Sequence, residues 1–459
     1  MTPLKILNPA TGKPVASLPS DDARSVKAKY AAARAAQPRW AALPTRKRLD
    51  CLKRFRAAVI ENVEDLAAIL TTEVGKPIAQ SRNEVKGVIA RLDFFLAETA
   101  RTLKPRTVSG GPGAPMREVI THEPLGVVAN VSAWNYPWFV GANVFVPALA
   151  AGNTVLYKPS EFATLTGLAI ARLLHGSGVP DDVFIPLVGD GAVGAALVRQ
   201  PVDGIFFTGS FATGQRIAAT VRGRMVKLQL ELGGKDPAYV CEDADIATAA
   251  ASLADGAFYN AGQSCCSVER IYVHAAIFDA FVKAFVKEVK GFKVGDPQKD
   301  ATYLGPLARA PQLKVLEAQV KDAVRKGATV LCGGKRVAGP GNWFEPTVLV
   351  GVDHAMAVMR EESFGPVIGL MAVKDDAEAI ALMNDTDYGL TAGVYTPDRE
   401  RAERLLARAA AGSVYWNCCD RVSPRLPWSG LGHSGIGLTL STYGIEAFTR
   451  PKAWHLRAP

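Results

Sequence analysis

Alternation between two periodicities constrains this chain more than any single motif does. From about residue 124 onward, short β-branched or apolar runs take turns with Ala-rich segments of helical spacing. "GVVANVSAW" reads as a strand and "ANVFVPALAAG" as a helix. "TVLYKPS", "DVFIPLVG" and "GIFFTGS" are further strands, separated by the helical "TGLAIARLLHGSG" and "AVGAALVRQ" and followed by the helical "FATGQRIAAT". This order predicts a parallel sheet with helices on both faces. A second series runs from "ERIYVH" and "IFDAFVKAFVKEV" through "TVLCGG", "GPVIGLMAV", "DDAEAIALMND", "TAGVYT" and "DRERAERLLARAA" to "GSVYWN". With 459 residues the chain is too long for one core, so two α/β units in tandem are expected.

Two segments stand outside the alternation. "RTVSGGPGAPMREVITHEPLG", residues 106–126, is Gly/Pro-rich and then strand-like, and the tail "AFTRPKAWHLRAP" is also strand-like. Such orphan strands predict pairing with another subunit. No run of 18 apolar residues occurs, so no membrane span is expected, and "MTPLKILNPATGKPV" has no apolar signal core, which points to the cytoplasm. The net charge of +9 is concentrated, with eleven Lys or Arg and one acid, Asp50, between residues 24 and 56. Ala, Leu, Tyr, Phe and Trp stand between these charges at helical spacing. The segment therefore reads as two amphipathic helices with solvated basic faces and not as a nucleic-acid surface. The seven cysteines are scattered, odd in number and free of C-x-x-C, the pattern of reduced thiols. Two adjacent pairs occur, 265–266 and 418–419; no His lies at ligand spacing around either, so no metal site is expected.

A literal G-x-G-x-x-G occurs at Gly189, Gly191 and Gly194, after a strand and before a helix. The next strand ends in Thr-Gly-Ser instead of the acid that would hold a ribose, so the motif is either a phosphate contact or a tight helix–sheet turn. "FTGSFATG" places Gly209 and Ser210 where a strand feeds a helix, a fitting anion site for a pyrophosphate. "YKPSE" offers Lys158 and Glu161 at another strand end, as ribose partners or as a surface ion pair.

Three residues have the chemistry of a reaction centre. Glu231 in "LELGGKDP" sits at a strand end between leucines, where burial raises a carboxyl pKa toward that of a general base. Asn135 in "SAWNYPW" brings a side-chain amide to another strand end, as an oxyanion donor or as a turn residue. In "FYNAGQSCC", Gly262 permits a sharp turn and Cys265 opens the next one, where backbone N–H groups favour a thiolate.

"LELGGKDP" followed 34 residues after Glu231 by the first cysteine of "FYNAGQSCC" resembles the active-site pair of the NAD(P)-dependent aldehyde dehydrogenase superfamily. The resemblance spans the chain through "NPATGKPV", "EPLGVV", "AWNYP", "AAGNTVLYKPSE", "FTGS", "ESFGPV", "YGLTAGVYT" and "PWSGLGHSGIG". It implies an α/β fold with a Rossmann-like cofactor domain (1–106 and 124–231), an α/β catalytic domain (232–442) and a small β oligomerisation arm (107–123 and 443–459). A homodimer or homotetramer is then expected.

The resemblance also implies roles. Cys265 is the nucleophile, Glu231 the base that activates the deacylating water, and Asn135 the oxyanion donor. Trp134, Lys158, Ser160, Glu161, Gly191, Gly209, Ser210, Glu362 and Phe364 contact the cofactor. Tyr136, Trp138, Ser264, Cys266 and Trp428 line the substrate pocket. The implied reaction is oxidation of a small-molecule aldehyde to the acid through a thiohemiacetal and a thioester. Glu231 favours hydrolysis over transfer to coenzyme A, and the presence of base and nucleophile argues against a non-catalytic binding protein. The aromatic residues favour medium-chain or aromatic aldehydes. Arg421 and Arg425 in "NCCDRVSPRLPW" offer the alternative of a semialdehyde carboxylate, as in succinic semialdehyde. Glu161 near the ribose favours NAD, with NADP possible if Lys158 pairs with the 2′-phosphate.

Overall fold

The computed structural model describes residues 3–111 and 114–457; residues 112–113 and 458–459, parts of the two expected arm segments, lie outside the described residues. Both tandem α/β units form. In the first sheet Lys227–Glu231, Gly204–Thr208, Val127–Val131, Thr154–Lys158 and Phe184–Pro186 lie side by side, all parallel. Val127–Val131 and Thr154–Lys158 are almost wholly buried, as continuous apolar runs are when helices cover both faces. The chain enters at Val127–Val131, moves outward through two strands, and then returns to lay Gly204–Thr208 on the other side. That reversal leaves a crevice at the carboxyl ends of the two central strands. Gly435–Ile436, from within the expected catalytic segment, closes the far edge antiparallel to Lys227–Glu231.

The second sheet is ordered Thr329–Cys332, Thr347–Val350, Val367–Val373, Val268–His274, Asp236–Val240, Thr391–Tyr395 and Ser413–Trp416, parallel except for the first strand. Leu232–Lys235 is all that separates the end of Lys227–Glu231 from the start of Asp236–Val240. The carboxyl edge of the first sheet therefore leads directly into the amino edge of the second. Cys265 lies just ahead of Val268–His274, at that same amino edge.

The basic segment folds as the two expected helices, Ala23–Ala42 and Thr45–Glu61, which bury Trp40, Leu52, Phe55 and Val59. The two orphan segments pair with each other within the chain. Met116–Pro124 runs antiparallel to Thr449–Arg457 along its whole length, with Arg106–Ser109 on its other side. The cause is where the tail begins. Phe448 stacks on Phe206 with ring centroids 4.3 Å apart, and its carbonyl accepts from Leu125 N and Asn153 Nδ2. The tail thus starts beside the end of Met116–Pro124 and adds to it. No helix among the described residues is long and apolar enough to cross a membrane.

Candidate active site at the junction of the two sheets

Helix Ile246–Phe258 begins on Asp245, whose carboxylate accepts from Thr248 N at 2.7 Å, and ends short of the cysteines. Asn260, Ala261 and Gly262 then take φ of 55°, 54° and 69°, a left-handed run that reverses the chain. At Gly262 a Cβ would strike the carbonyl oxygen of Gly365, so no larger residue fits. Side-chain amides hold the turn: Gln263 Nε2 donates to Asn260 O at 3.0 Å, and Gln263 Oε1 accepts from Ala308 N at 2.9 Å. Within this buried stretch Cys265 alone is partly exposed.

Glu231 ends its strand 6% exposed. Burial pushes its carboxyl up to about 7, against the pull of the Thr439 hydroxyl, which donates to Oε1. The two glycines that follow are fixed by close approaches. A Cβ on Gly233 would strike the Glu362 carboxyl, and one on Gly234 would strike the carbonyl oxygen of Cys265. "LELGGKDP" therefore carries its glycines because the chain leaving Glu231 passes directly against the loop of Cys265 and against Glu362. Asn135 is buried, and its Nδ2 donates to Gln263 O at 3.1 Å, in that same loop. An amide nitrogen has a second hydrogen to offer.

Asn135 and Cys265 open onto a cleft of about 700 Å³ that occupies the crevice between the central strands of the first sheet. Lys158, Ser160, Glu161, Gly191, Gly209 and Ser210 line one part of it, and Trp134, Glu362 and Phe364 another. Buried Lys158 donates from Nζ to Pro159 O at 2.6 Å; burial lowers its pKa while Glu161 and Asp190 oppose the fall. Ser160 Oγ donates to Glu161 Oε2 at 3.2 Å. Exposed Ser210 immediately precedes helix Phe211–Val221, leaving that helix's first N–H groups toward the cleft. Phe364, at φ 46°, sets its ring edge-on to Trp134, centroids 5.5 Å apart. Glu362 Oε1 accepts from Gly234 N at 3.1 Å, and burial first, then nearby Glu269, pushes its carboxyl up to about 8. Arg309 lies in the same wall with its guanidinium 5.6 Å above the Phe162 ring, and its buried Nε has no partner. A crevice with a helix N-terminus, a lysine and an unpaired guanidinium N–H fits the phosphates of a dinucleotide.

The other side of Cys265 is polar and aromatic. Cys266 is buried and donates its thiol to Asp420 Oδ1 at 2.9 Å; Ser264 Oγ lies 3.5 Å from its sulfur. The Cys265 thiol, burial and Asp420 together hold Cys266 well above the usual thiol range, so it stays protonated. Burial pushes the Asp420 carboxyl up to about 6. Tyr136 stacks on Phe139, and Lys76 Nζ lies 3.7 Å above its ring while pairing with buried Glu84. Trp138 is fully buried within an apolar core cluster. Trp428 is 5% exposed and exchanges backbone hydrogen bonds with Thr439. Arg421 and Arg425 are both exposed.

Sequence reasoning did not single out Thr439, Arg309, Lys76 or Asp420. Only the position of Asp420, next to an arginine already noted, offered a signal.

Residues 2–454 match the model of the aldehyde dehydrogenase family. The chain belongs to that family. Two curated relatives are similar to this aldehyde dehydrogenase over almost its whole length. The succinate-semialdehyde dehydrogenase [NADP(+)] of Deinococcus radiodurans is 34% identical over 98% of this chain and 94% of its own. The glutarate-semialdehyde dehydrogenase of Pseudomonas putida is 35% identical over 98% of this chain and 93% of its own. Among solved structures, 3,6-anhydro-L-galactose dehydrogenase in complex with NAP is similar with a TM-score of 0.95 and 34% identity, covering 99% of this chain and 96% of that one. The aldehyde dehydrogenase is thus an NAD(P)-dependent oxidoreductase that oxidises aldehydes.

Proposed function

We propose that this aldehyde dehydrogenase oxidises an aldehyde bearing a second carboxylate, of the succinate- or glutarate-semialdehyde class, with NADP⁺ preferred and NAD⁺ usable. The observation that carries this reading is the match to two semialdehyde dehydrogenases over 98% of the chain. Charge supports it. Exposed Arg421 acts on Asp420, the partner of the Cys266 thiol beside Cys265, and Asp420 is half neutral near pH 6. The medium-chain or aromatic reading loses weight because the Trp138 side chain is committed to the core.

Cys265 adds as thiolate to the aldehyde carbon, and the negative oxygen is met by Asn135 Nδ2 and the Cys265 backbone N–H. Lys158, Ser160 and Glu161 would hold the adenosine ribose and Gly209 and Ser210 the pyrophosphate. Gly191 would lie near the adenine, with Trp134, Glu362 and Phe364 at the nicotinamide end. NAD(P)⁺, when bound, supplies the hydride acceptor. Glu231 then takes a proton from water, the water oxygen attacks the thioester carbon, the C–S bond breaks, and the acid leaves as Cys265 regains its thiolate. The base argues for hydrolysis without coenzyme A. The arm and the free edge of the second sheet at Ser413–Trp416, where Val414 is 44% and Trp416 40% exposed, support a homodimer or a dimer of dimers. Seven free cysteines fit a reducing cytoplasm.

The test compares kcat/KM for succinate and glutarate semialdehydes with butanal, hexanal and benzaldehyde, using each cofactor. The semialdehydes should lead by at least about tenfold, as a charge-assisted contact requires. Arg421→Ala should raise KM for them alone. Hexanal or benzaldehyde ahead of both semialdehydes would return the assignment to apolar aldehydes.

A further inference from the structure

A second cavity, of about 1000 Å³, lies at the root of the arm, and Gln229 forms part of its wall together with Thr102, Arg106, Ile120, Gly437 and Tyr443. Gln229 is 2% exposed, and neither its Oε1 nor its Nε2 has a hydrogen-bond partner. The Thr102 hydroxyl in the same wall is also buried and unpartnered. Leaving a buried amide unpaired costs about 1–3 kcal/mol, so its place calls for a purpose.

Gln229 stands two residues before Glu231 on one strand, so both side chains emerge on the same face. Though outside hydrogen-bond geometry, the Gln229 amide lies close enough to Glu231 to favour its charged form. Gly437, at φ 78°, leaves room for it: a Cβ there would come within 2.9 Å of Gln229 Cγ. From Gly437 the backbone continues to Thr439, whose hydroxyl donates to Glu231. The cavity wall and Glu231 are thus joined along two short segments, Gln229–Glu231 and Gly437–Thr439.

We infer that the arm cavity is a second solvent entry to Glu231, and that Gln229 is a positioning residue that holds water between the cavity and the base during thioester hydrolysis. The inference rests on Glu231 acting as that base. During hydrolysis one water loses a proton to Glu231 and its oxygen replaces the Cys265 sulfur on the acyl carbon. Glu231 must then pass its proton to solvent while product and cofactor still fill the cleft. Gln229 Oε1 and Nε2 offer that water one acceptor and one donor.

The experiment uses p-nitrophenyl acetate, which acylates a reactive thiolate without need of the natural aldehyde. The p-nitrophenolate burst reads acylation of Cys265, and decay of the acetyl-enzyme by intact mass reads hydrolysis. Gln229→Met should leave the burst within about twofold and slow acetyl loss by about tenfold, less than the roughly 10²–10⁴-fold that loss of a general base itself costs. It should also move the acid limb of hydrolysis to higher pH, because the amide no longer favours the charged carboxylate. Gln229→Asn should restore part of the rate. Ile120→Trp, which fills the cavity from the arm and leaves Gln229 itself unchanged, should slow hydrolysis alone. Unchanged hydrolysis in Gln229→Met and Ile120→Trp overturns the inference, and so does a parallel fall of the burst. Failure of the underlying reading shows differently, as acetyl loss in Glu231→Gln equal to wild type.

Discussion

At Glu231 the carboxyl is protonated in the folded protein up to about pH 7, against an ordinary value of 4.5, because burial penalises the anion. The folded value is the higher one, so this side chain's contribution to stability is present in full below pH 4.5 and is lost as pH rises through 7. The loss amounts to about 3 kcal/mol. Glu231→Gln should therefore be about 2–3 kcal/mol more stable than wild type at pH 8 and gain far less at pH 5, by urea denaturation at both. Its thioester hydrolysis should be nearly abolished, and wild-type hydrolysis should rise through pH 7 as the carboxyl ionises. Equal stability gains at the two pH values would contradict the buried-base account. Asn135→Ala should cost about 2.7–4 kcal/mol of barrier, a severe but incomplete loss of kcat. Cys265, Glu231 and Asn135 could be proposed from the sequence because each sits in a motif whose neighbours have visible jobs. Thr439 was not. It reaches Glu231 across 208 residues, and nothing local distinguishes it from any other threonine.

The turn that presents Cys265 carries three successive left-handed residues, two of them not glycine. Asn260 and Ala261 each cost of order 1–3 kcal/mol there and persist only where the surroundings hold them. Gly262→Ala adds a collision with the Gly365 carbonyl and should destabilise the protein by more than about 1 kcal/mol. It should also slow alkylation of Cys265 by iodoacetamide, because the thiol loses its place by Asn135 and the helix-fed turn. Native alkylation rates in that variant would show that the turn does not position the thiol. Across the cleft, buried Lys235 pairs with Glu269 at 2.6 Å, and Glu269 accepts from Ser363 N at 2.8 Å and Phe364 N at 3.0 Å. One ion pair thus fixes the segment that carries Glu362. The strands and helices themselves were readable from period alone, since buried parallel strands and amphipathic helices leave different patterns. The pairing of Met116–Pro124 with Thr449–Arg457 was not, because it depends on the anchoring of Phe448 against the first sheet.

The whole molecule leads the carboxyl edge of one sheet into the amino edge of the other, so the strand end that carries Glu231 runs into the sheet at whose amino edge Cys265 lies. The arm stands apart from both. Removing the chain after Phe448 deletes a strand that among the described residues pairs only with Met116–Pro124, and should lower the assembly's mass in solution while leaving the two main sheets folded. An unchanged mass would show that the arm does not join subunits. The central claim, that Cys265 carries the acyl group and Glu231-activated water removes it, is tested by one measurement. The protein is mixed with succinate semialdehyde and NADP⁺ in the absence of coenzyme A, and reduced cofactor and free succinate are followed together. Wild type should form both in equal amounts, and Cys265→Ser should form neither while still binding NADP⁺. Reduction of cofactor by Cys265→Ser, or reduction in wild type without release of acid, would contradict the account.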